Sequence, residues 1–177
     1  SFIVYRQIGL YLTYESIKST KMKKRIIALI SFLCYIICWA QAADEHYYFK
    51  NLSIQDGLSQ TTVNAIIQDK KGFMWFGTDN GLNKFDGSNF RIYRNNPNDS
   101  SSLCANMVTV IYEDRDRNLW VGNGYNGLNL FDRERESFSR FEKNLNDSTS
   151  LGGNDIRTIY EDTKGCLWIG TSGGGLN

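Results

Sequence analysis

The sequence predicts an all-β fold: an incomplete β-propeller of about three four-stranded blades, preceded by a signal-peptide helix. Three observations predict it. A phrase that ends in tryptophan recurs at Trp75, Trp120 and Trp168, at spacings of 45 and 48 residues. Turn residues interrupt the apolar pattern every five to eight positions. A cationic and then apolar segment precedes the first repeat, as in secretory signals.

The first 42 residues predict an export signal. Met22-Lys23-Lys24-Arg25 opens it, an uncharged and mostly apolar run follows at 26–39, and the small residues Ala40 and Ala42 predict cleavage after Ala42. We therefore assign 22–42 to a signal peptide and expect an exported, periplasmic protein. A retained membrane anchor is the alternative, although the run is shorter than the roughly 20 residues that span a bilayer.

Residues 1–21 precede the methionine that opens the signal. A signal peptide carries its charged head at its very start, so this segment has no role in export. We interpret it as unstructured upstream translation. An authentic cytoplasmic extension at the N-terminus is the alternative interpretation.

Charge and composition exclude several function classes. Residues 1–43 carry six basic side chains and one acidic, whereas 44–177 carry 14 basic and 18 acidic. An acidic main segment lacks the basic surface that a nucleic-acid partner requires. His46 is the one histidine in the sequence, which argues against a histidine zinc site and a histidine triad. We expect no metal and no cofactor.

The export prediction determines which cysteines remain in the mature segment. Cys34 and Cys38 leave with the signal peptide, so the mature segment keeps Cys104 and Cys166. These two occupy different positions of different repeats. We expect two separate thiols, at least partly buried, and not a disulfide.

The mature segment divides by its repeats. Residues 43–56 are predicted to form an N-terminal strand of the propeller, 57–101 the first repeat, 102–149 the second, and 150–177 a truncated third. Each repeat carries an Asp six residues before its Trp, with glycines in the turn and after the Trp. The structural positions of the repeat are Asp69, Gly72, Trp75, Gly77, Asp114, Trp120, Gly122, Asp162, Gly165, Trp168 and Gly170.

One repeat predicts four strands joined by tight turns. In the first copy these are 63–68, 73–78, 82–86 and 90–93, separated by Asp/Gly turn signals. Four short antiparallel strands per ~45 residues are typical of a propeller blade. A helical solenoid of similar period would need longer stretches with 3.6-residue apolar spacing. Arg117 replaces the turn glycine in the second copy, so that turn departs from the pattern of the other two.

Repeated polar and aromatic residues are predicted to be structural. The tryptophans are expected in the packing between blades rather than as sugar-stacking platforms. The repeated aspartates are expected to cap turns, because residues that recur once per blade lie too far apart to flank one glycosidic bond. We predict no catalytic residue. Loop positions that vary between copies are better ligand candidates: Asn80, Arg115, Tyr125 and Asn126.

These phrases resemble the two-component regulator propeller repeat, and 49–59 is similar to the start of the periplasmic sensor region of hybrid two-component proteins from glycan-degrading gut bacteria. The resemblance covers about 47–177. It implies two such propellers, a β-sandwich, a membrane helix, a histidine kinase, a receiver and a DNA-binding domain in a full-length parent anchored in the inner membrane.

The resemblance also implies function. It implies a sensor that recognises a glycan or oligosaccharide and controls transcription of the genes for its use. It also implies that the full-length protein is a homodimer. The rest of its own sensor chain is then its main partner, and this segment is not itself an enzyme. Two alternatives stay open: an exported propeller enzyme, such as a glycan lyase or hydrolase, and a secreted interaction scaffold.

Overall fold

The computed structural model of the chain describes residues 20–25, 28–33 and 47–177. The chain divides into two compact units, Ser1–Phe49 and Lys50–Asn177. In the first unit, residues 20–25 and 28–33 are helical. Within the described residues, no helix is both long and apolar enough to cross a membrane. The predicted cleavage positions Ala40 and Ala42, together with Cys34, Cys38 and His46, lie outside the described residues.

The second unit consists of three antiparallel sheets that follow one another along the chain. The first contains β1 Val63–Gln68, β2 Met74–Thr78, β3 Gly81–Phe85 and β4 Phe90–Tyr93. The second contains β5 Val108–Glu113, β6 Leu119–Asn123, β7 Leu128–Asp132 and β8 Ser137–Phe141, and the third β9 Asp155–Glu161, β10 Leu167–Ser172 and β11 Gly175–Leu176. Each strand pairs with the next strand in sequence, as in a propeller blade. The predicted all-β fold of blade-like sheets is confirmed.

Turn chemistry sets the register of these sheets. Gly72 and Gly165 close the first turn of their repeats with φ of 91° and 85°. These values lie in the left-handed region that glycine enters without steric cost. Arg117 occupies the same place in the second repeat and takes a φ of 69°. The turn therefore keeps its shape despite the side chain.

The first strands of neighbouring sheets lie side by side. Thr109 Oγ1 on β5 donates to the Ile156 carbonyl of β9 at 2.6 Å, and Asn64 Nδ2 on β1 donates to the Val108 carbonyl at 3.0 Å. Apolar residues then fill the space between sheets one and two, with Trp75 and Leu82 fully buried. The hydrophobic core therefore lies between the sheets. Successive side chains of a strand point to opposite faces, and the residues on the inward face form this core.

Two details differ from the sequence predictions. Residues 47–53 contain no strand and Ile54–Asp56 is a single 3-10 turn, so the strand predicted at 43–56 is not formed by its described residues. The Ser53 hydroxyl accepts from the Gln55 N–H, and Asp56 Oδ2 accepts from the Ser53 N–H at 2.8 Å; this local capping turns the chain. Cys166 is exposed and Cys104 buried, so the two free thiols differ in environment and only Cys104 is buried as predicted.

Candidate ligand-binding surface and the turns that support it

The strand order gives each sheet two distinct ends. The linkers between sheets, at 94–107 and 142–154, lie at the same end as the turns that join β2 to β3 and β6 to β7; we call this the linker end. The repeated aspartate turns lie at the other, the Asp-turn end. Successive strands of a meander run in opposite directions, which fixes this separation.

The structure brings three of the four candidate ligand residues to the linker end. Tyr125 and Asn126 lie in the β6–β7 turn and are exposed, with the Tyr125 side chain 70% accessible. Asn80 lies in the β2–β3 turn, where its Nδ2 donates to the Ser59 carbonyl at 3.4 Å. Asn80 therefore supports its own turn, whereas Tyr125 and Asn126 project from theirs.

The turn that carries Tyr125 is held on both sides. The Gly124 N–H donates to the Met107 carbonyl at 3.1 Å, and the Gly127 N–H donates to the Asn154 carbonyl at 2.7 Å. Tyr125 itself has a φ of 79°, the value that Gly173 takes at the equivalent position of the third sheet. A left-handed conformation costs a non-glycine residue about 1–2 kcal/mol. An exposed tyrosine is thus held in a strained conformation on a fixed turn.

Arg115 lies at the opposite, Asp-turn end and connects two sheets. Its N–H donates to Glu161 Oε2 at 2.9 Å, and its Nη1 donates to the Thr163 carbonyl at 3.1 Å. Lys70 repeats this arrangement one sheet earlier, where its N–H donates to Glu113 Oε2 at 2.7 Å. Arg115 is therefore a contact between sheets, separated from the other three candidates.

The repeated aspartates close their turns and hold the tryptophans. Asp69 Oδ1 accepts from the Lys71 and Phe73 N–H groups, and its Oδ2 accepts from Trp75 Nε1 at 2.8 Å. The same bond joins Asp114 to Trp120 at 2.9 Å and Asp162 to Trp168 at 3.0 Å. The spacing of six residues between Asp and Trp thus allows a hydrogen bond between their side chains as well as the turn. The sequence predicts the turn but not this hydrogen bond.

These contacts shift the acidity of the carboxyl groups. Burial raises the pKa of Asp69, but hydrogen bonds from Trp75 and Arg133 outweigh it and hold the pKa below its ordinary value. The pKa of Asp114 is lowered in the same way, with burial opposed by hydrogen bonds from Trp120 and Asn118. The hydrogen bond from Trp168 is the main cause that lowers the pKa of Asp162. All three turns are therefore built for the carboxylate form.

Arg133 connects the first two sheets through two buried acids. Its Nη1 donates to Asp69 Oδ2 at 2.6 Å and its Nη2 to Glu113 Oε1 at 2.9 Å. The Arg133 side chain is 14% accessible and its partners 0% and 7%. The guanidinium also lies over the Trp75 ring, 5.9 Å from its centroid. One cation thus bridges carboxylates that belong to different repeats.

A repeated asparagine on the third strand of the first two sheets fixes the segment that leads into the same sheet. Asn83 Oδ1 accepts from the Ser59 N–H, and Asn129 Oδ1 accepts from the Cys104 N–H, both at 2.9 Å. Asn83 and Asn129 are fully buried. The recurrence of Gly-Leu-Asn in every copy was the signal that could have identified it. These side chains hold the linker end together beneath the exposed turns.

Potential metal ligands do not cluster in the described part of the chain. Within 20–25, 28–33 and 47–177, no group of three or more His, Cys, Asp or Glu side chains could hold a metal ion. The repeated aspartates are engaged by amides and indoles in turns of separate sheets, so the geometry brings no two of them to one substrate bond.

Comparison with known proteins identifies the repeat. The family described as "Two component regulator propeller" matches residues 57–80, 102–125 and 150–173. Histidine kinase P4 from Formosa agariphila is 49% identical over 77 residues, which cover 44% of this chain and 5% of that protein.

Solved structures agree in fold and in sequence. The extracellular domain of the hybrid two-component system BT3049 from B. thetaiotaomicron aligns with a TM-score of 0.67 and 33% identity, over 75% of this chain and 20% of that chain. The corresponding domain of BT4673 from the same organism aligns with a TM-score of 0.60 and 28% identity, over 74% and 18%. The chain therefore spans about a fifth of the length of these structures. Three stretches of this chain therefore match the two-component regulator propeller repeat, and the chain is similar to extracellular domains of hybrid two-component systems and to part of a histidine kinase.

Proposed function

We propose that this chain is part of an extracytoplasmic sensor that recognises an oligosaccharide and reports it to a histidine kinase. The observation that carries the proposal is the similarity, over three repeats in register, to extracellular domains of hybrid two-component systems. The proposal includes export to the periplasm, a parent protein anchored in the inner membrane, dimerisation of that parent, and control of glycan-utilisation genes. The segment contributes recognition and no chemical step.

Tyr125 supports the choice of ligand. Its ring is 70% accessible and offers a flat apolar surface. Backbone hydrogen bonds to Met107 and Asn154 already hold the turn, so ligand binding costs little further conformational entropy there. The neighbouring Asn126 adds an exposed amide that can both donate and accept. A pyranose has one apolar face and a rim of hydroxyl groups, which matches an aromatic ring beside an amide. The linker end is therefore the proposed recognition surface.

Calorimetric titration of oligosaccharides into the exported sensor region that contains this chain tests the proposal. We expect saturable binding of one glycan class and a Kd that rises about 2- to 12-fold in Tyr125→Ala, because aromatic contacts are worth about 0.5–1.5 kcal/mol. Tyr125→Gly should weaken binding without loss of stability, since glycine relieves the left-handed strain.

Arg115→Ala is the matched control, because Arg115 lies at the opposite end of the sheets. It should leave the Kd unchanged while it lowers the urea midpoint. Equal effects of Arg115→Ala and Tyr125→Ala on the Kd would contradict recognition at the linker end. Release of new sugar ends from a bound glycan would favour the alternative of an exported propeller enzyme.

A further inference from the structure

A small cleft lies between sheets one and two at the Asp-turn end, beside the turns that join β3 to β4 and β7 to β8. It measures about 210 Å³. Lys84 and Arg91 are its cationic side chains, Phe73 supplies an aromatic wall, and Glu136 lines it from sheet two. Each of these two sheets has four strands, so described residues bound the cleft on either side. The cleft is therefore a feature of a complete interface between two sheets.

Two cations lie side by side in this cleft. Lys84 on β3 is the ladder partner of Arg91 on β4, and Trp75 on β2 is the partner of Lys84. Ladder partners project from the same face of a sheet with Cβ atoms about 4.5–5.5 Å apart, so the two charged side chains are neighbours. Like charges at directly opposite positions destabilise an antiparallel pair. The first sheet therefore carries an electrostatic cost in this row of residues.

The second sheet shows that the repeat does not require these charges. Leu130 and Ser139 occupy the equivalent row there, next to Trp120. Asn118 likewise stands where the first repeat has Phe73. The fold is thus compatible with an apolar residue and a neutral polar residue at the two cationic positions. The pair of cations is a property of this cleft and not of the repeat.

The acids of the cleft engage only one of the two cations. Arg91 Nη2 forms an ion pair with Glu136 Oε2, while Glu136 Oε1 accepts from the Tyr93 hydroxyl at 3.1 Å. Glu136 holds this position with a φ of 52°, a left-handed conformation that a non-glycine residue adopts at a cost. Asp86, the other acid of the cleft, accepts through Oδ1 from two N–H groups of its own turn. Both carboxylates therefore already have partners other than Lys84.

Aromatic rings hold Lys84 in place of a carboxylate. Its Nζ lies 3.9 Å from the centroid of the Phe73 ring and 5.7 Å from that of the Trp75 ring. Among residues 47–177, no carboxylate forms an ion pair with Lys84. An ammonium over a ring face keeps N–H donors for an acceptor on its open side. The cleft thus offers a positioned cation that has no anion, next to a second cation.

We propose that this cleft binds an oxyanion: a carboxylate or sulfate group, free or carried by an acidic saccharide. The Lys84 ammonium and the remaining N–H groups of Arg91 donate to its oxygens, and its charge offsets the repulsion between the two side chains. The site lies at the Asp-turn end and is separate from the proposed glycan surface at the linker end. It therefore stands whether or not the linker end binds a glycan.

Calorimetric titration at constant ionic strength tests the site. The probes are sodium sulfate, an oligogalacturonate, a sulfated oligosaccharide and a neutral oligosaccharide of equal length. We expect saturable binding of an anionic probe, and Lys84→Leu, which installs the residue of the second sheet, should raise its Kd about 10- to 100-fold because a charge-assisted hydrogen bond is lost. Lys71→Leu removes an exposed lysine at the same end and should leave that Kd unchanged.

The probes also distinguish the source of the group. A lower Kd for an acidic oligosaccharide than for sulfate would assign the group to a saccharide, whereas equal Kd values would assign it to a free anion. An unchanged Kd in Lys84→Leu, or no binding of any anionic probe, would overturn the proposal. The same loss of affinity for the neutral oligosaccharide in Lys84→Leu would also overturn it, since the cleft would then not select charge.

Urea unfolding separates an anion site from a structural contact. In chloride alone, Lys84→Leu should raise the urea midpoint, because the like-charge pair is removed. The anionic probe that binds most tightly should raise the midpoint of the parent protein more than that of Lys84→Leu, since only specific binding depends on Lys84. A lower midpoint of Lys84→Leu in chloride would identify Lys84 as a structural contact and overturn the proposal, as would equal shifts of both proteins by the probe.

Discussion

Replacement of Gly122 by alanine tests how closely neighbouring sheets approach. An added Cβ would lie 2.6 Å from Val110 Cγ1 and 2.7 Å from Cγ2 of Ile156, which belongs to the next sheet. It would also lie 2.8 Å from the Ile156 Cβ, an atom that no rotamer change can move. Overpacking of this kind costs about 1–3 kcal/mol, and the smaller entropy of the unfolded alanine chain returns about 0.4–1 kcal/mol. We expect the free energy of unfolding to fall by about 1–2 kcal/mol.

Gly170→Ala is the matched control. Gly170 occupies the same repeat position in the third sheet, where the added Cβ would meet only Thr158 Cγ2 at short range, at 2.6 Å. Thr158 is exposed, so its side chain can rotate away. With m of about 1–3 kcal/mol/M in urea, Gly122→Ala should lower the midpoint by about 0.5–1 M, and Gly170→Ala by clearly less. Coincident midpoints for the two variants would refute sheet contact as the reason for this glycine.

Three further outcomes are expected. Arg133→Met should cost about 3–5 kcal/mol in urea titrations, because two buried carboxylates lose their cation, whereas Arg135→Ala at an exposed pair should have a smaller effect. The pKa of Asp69 in the folded protein lies below its ordinary value of 3.8. The carboxylate therefore contributes its full stabilisation above pH 3.8 and loses it as the pH falls through the folded-state pKa. Asp69→Asn should flatten the acid side of a plot of unfolding free energy against pH. Peptide mapping after native alkylation should find Cys166 modified and Cys104 protected until urea unfolds the chain, because burial raises the pKa of the Cys104 thiol.

Local chemistry made much of the fold predictable. The spacing of the tryptophans and the turn residues around Trp75 locate the four strands of the first sheet to within about one residue. Such signals depend on neighbours in sequence and on backbone preference, so they survive without tertiary information. The segment 47–56 carried no such signal, and its local capping bonds decide its conformation instead.

Contacts between sheets were harder to predict. Arg115 varies between copies and therefore looked like a ligand residue, but its partner Glu161 lies 46 residues away in sequence. The bridge from Arg133 to Asp69 spans 64 residues. A single sequence shows which positions repeat, but it does not show that a variable position binds the next repeat. Tyr125 and Asn126 stay exposed because the flanking glycines, not these two residues, make the turn's backbone bonds to Met107 and Asn154.

The bonds at the Asp-turn end also determine how stability is distributed. The backbone N–H groups of Lys70 and Arg115 each donate to a glutamate of the following sheet. The same hydrogen bond therefore joins sheet one to sheet two and sheet two to sheet three. Stability in such an array is a sum of the terms for each repeat and for each nearest-neighbour interface. Loss of one glutamate should therefore weaken the array at a single junction and leave the interface terms of the other junction unchanged.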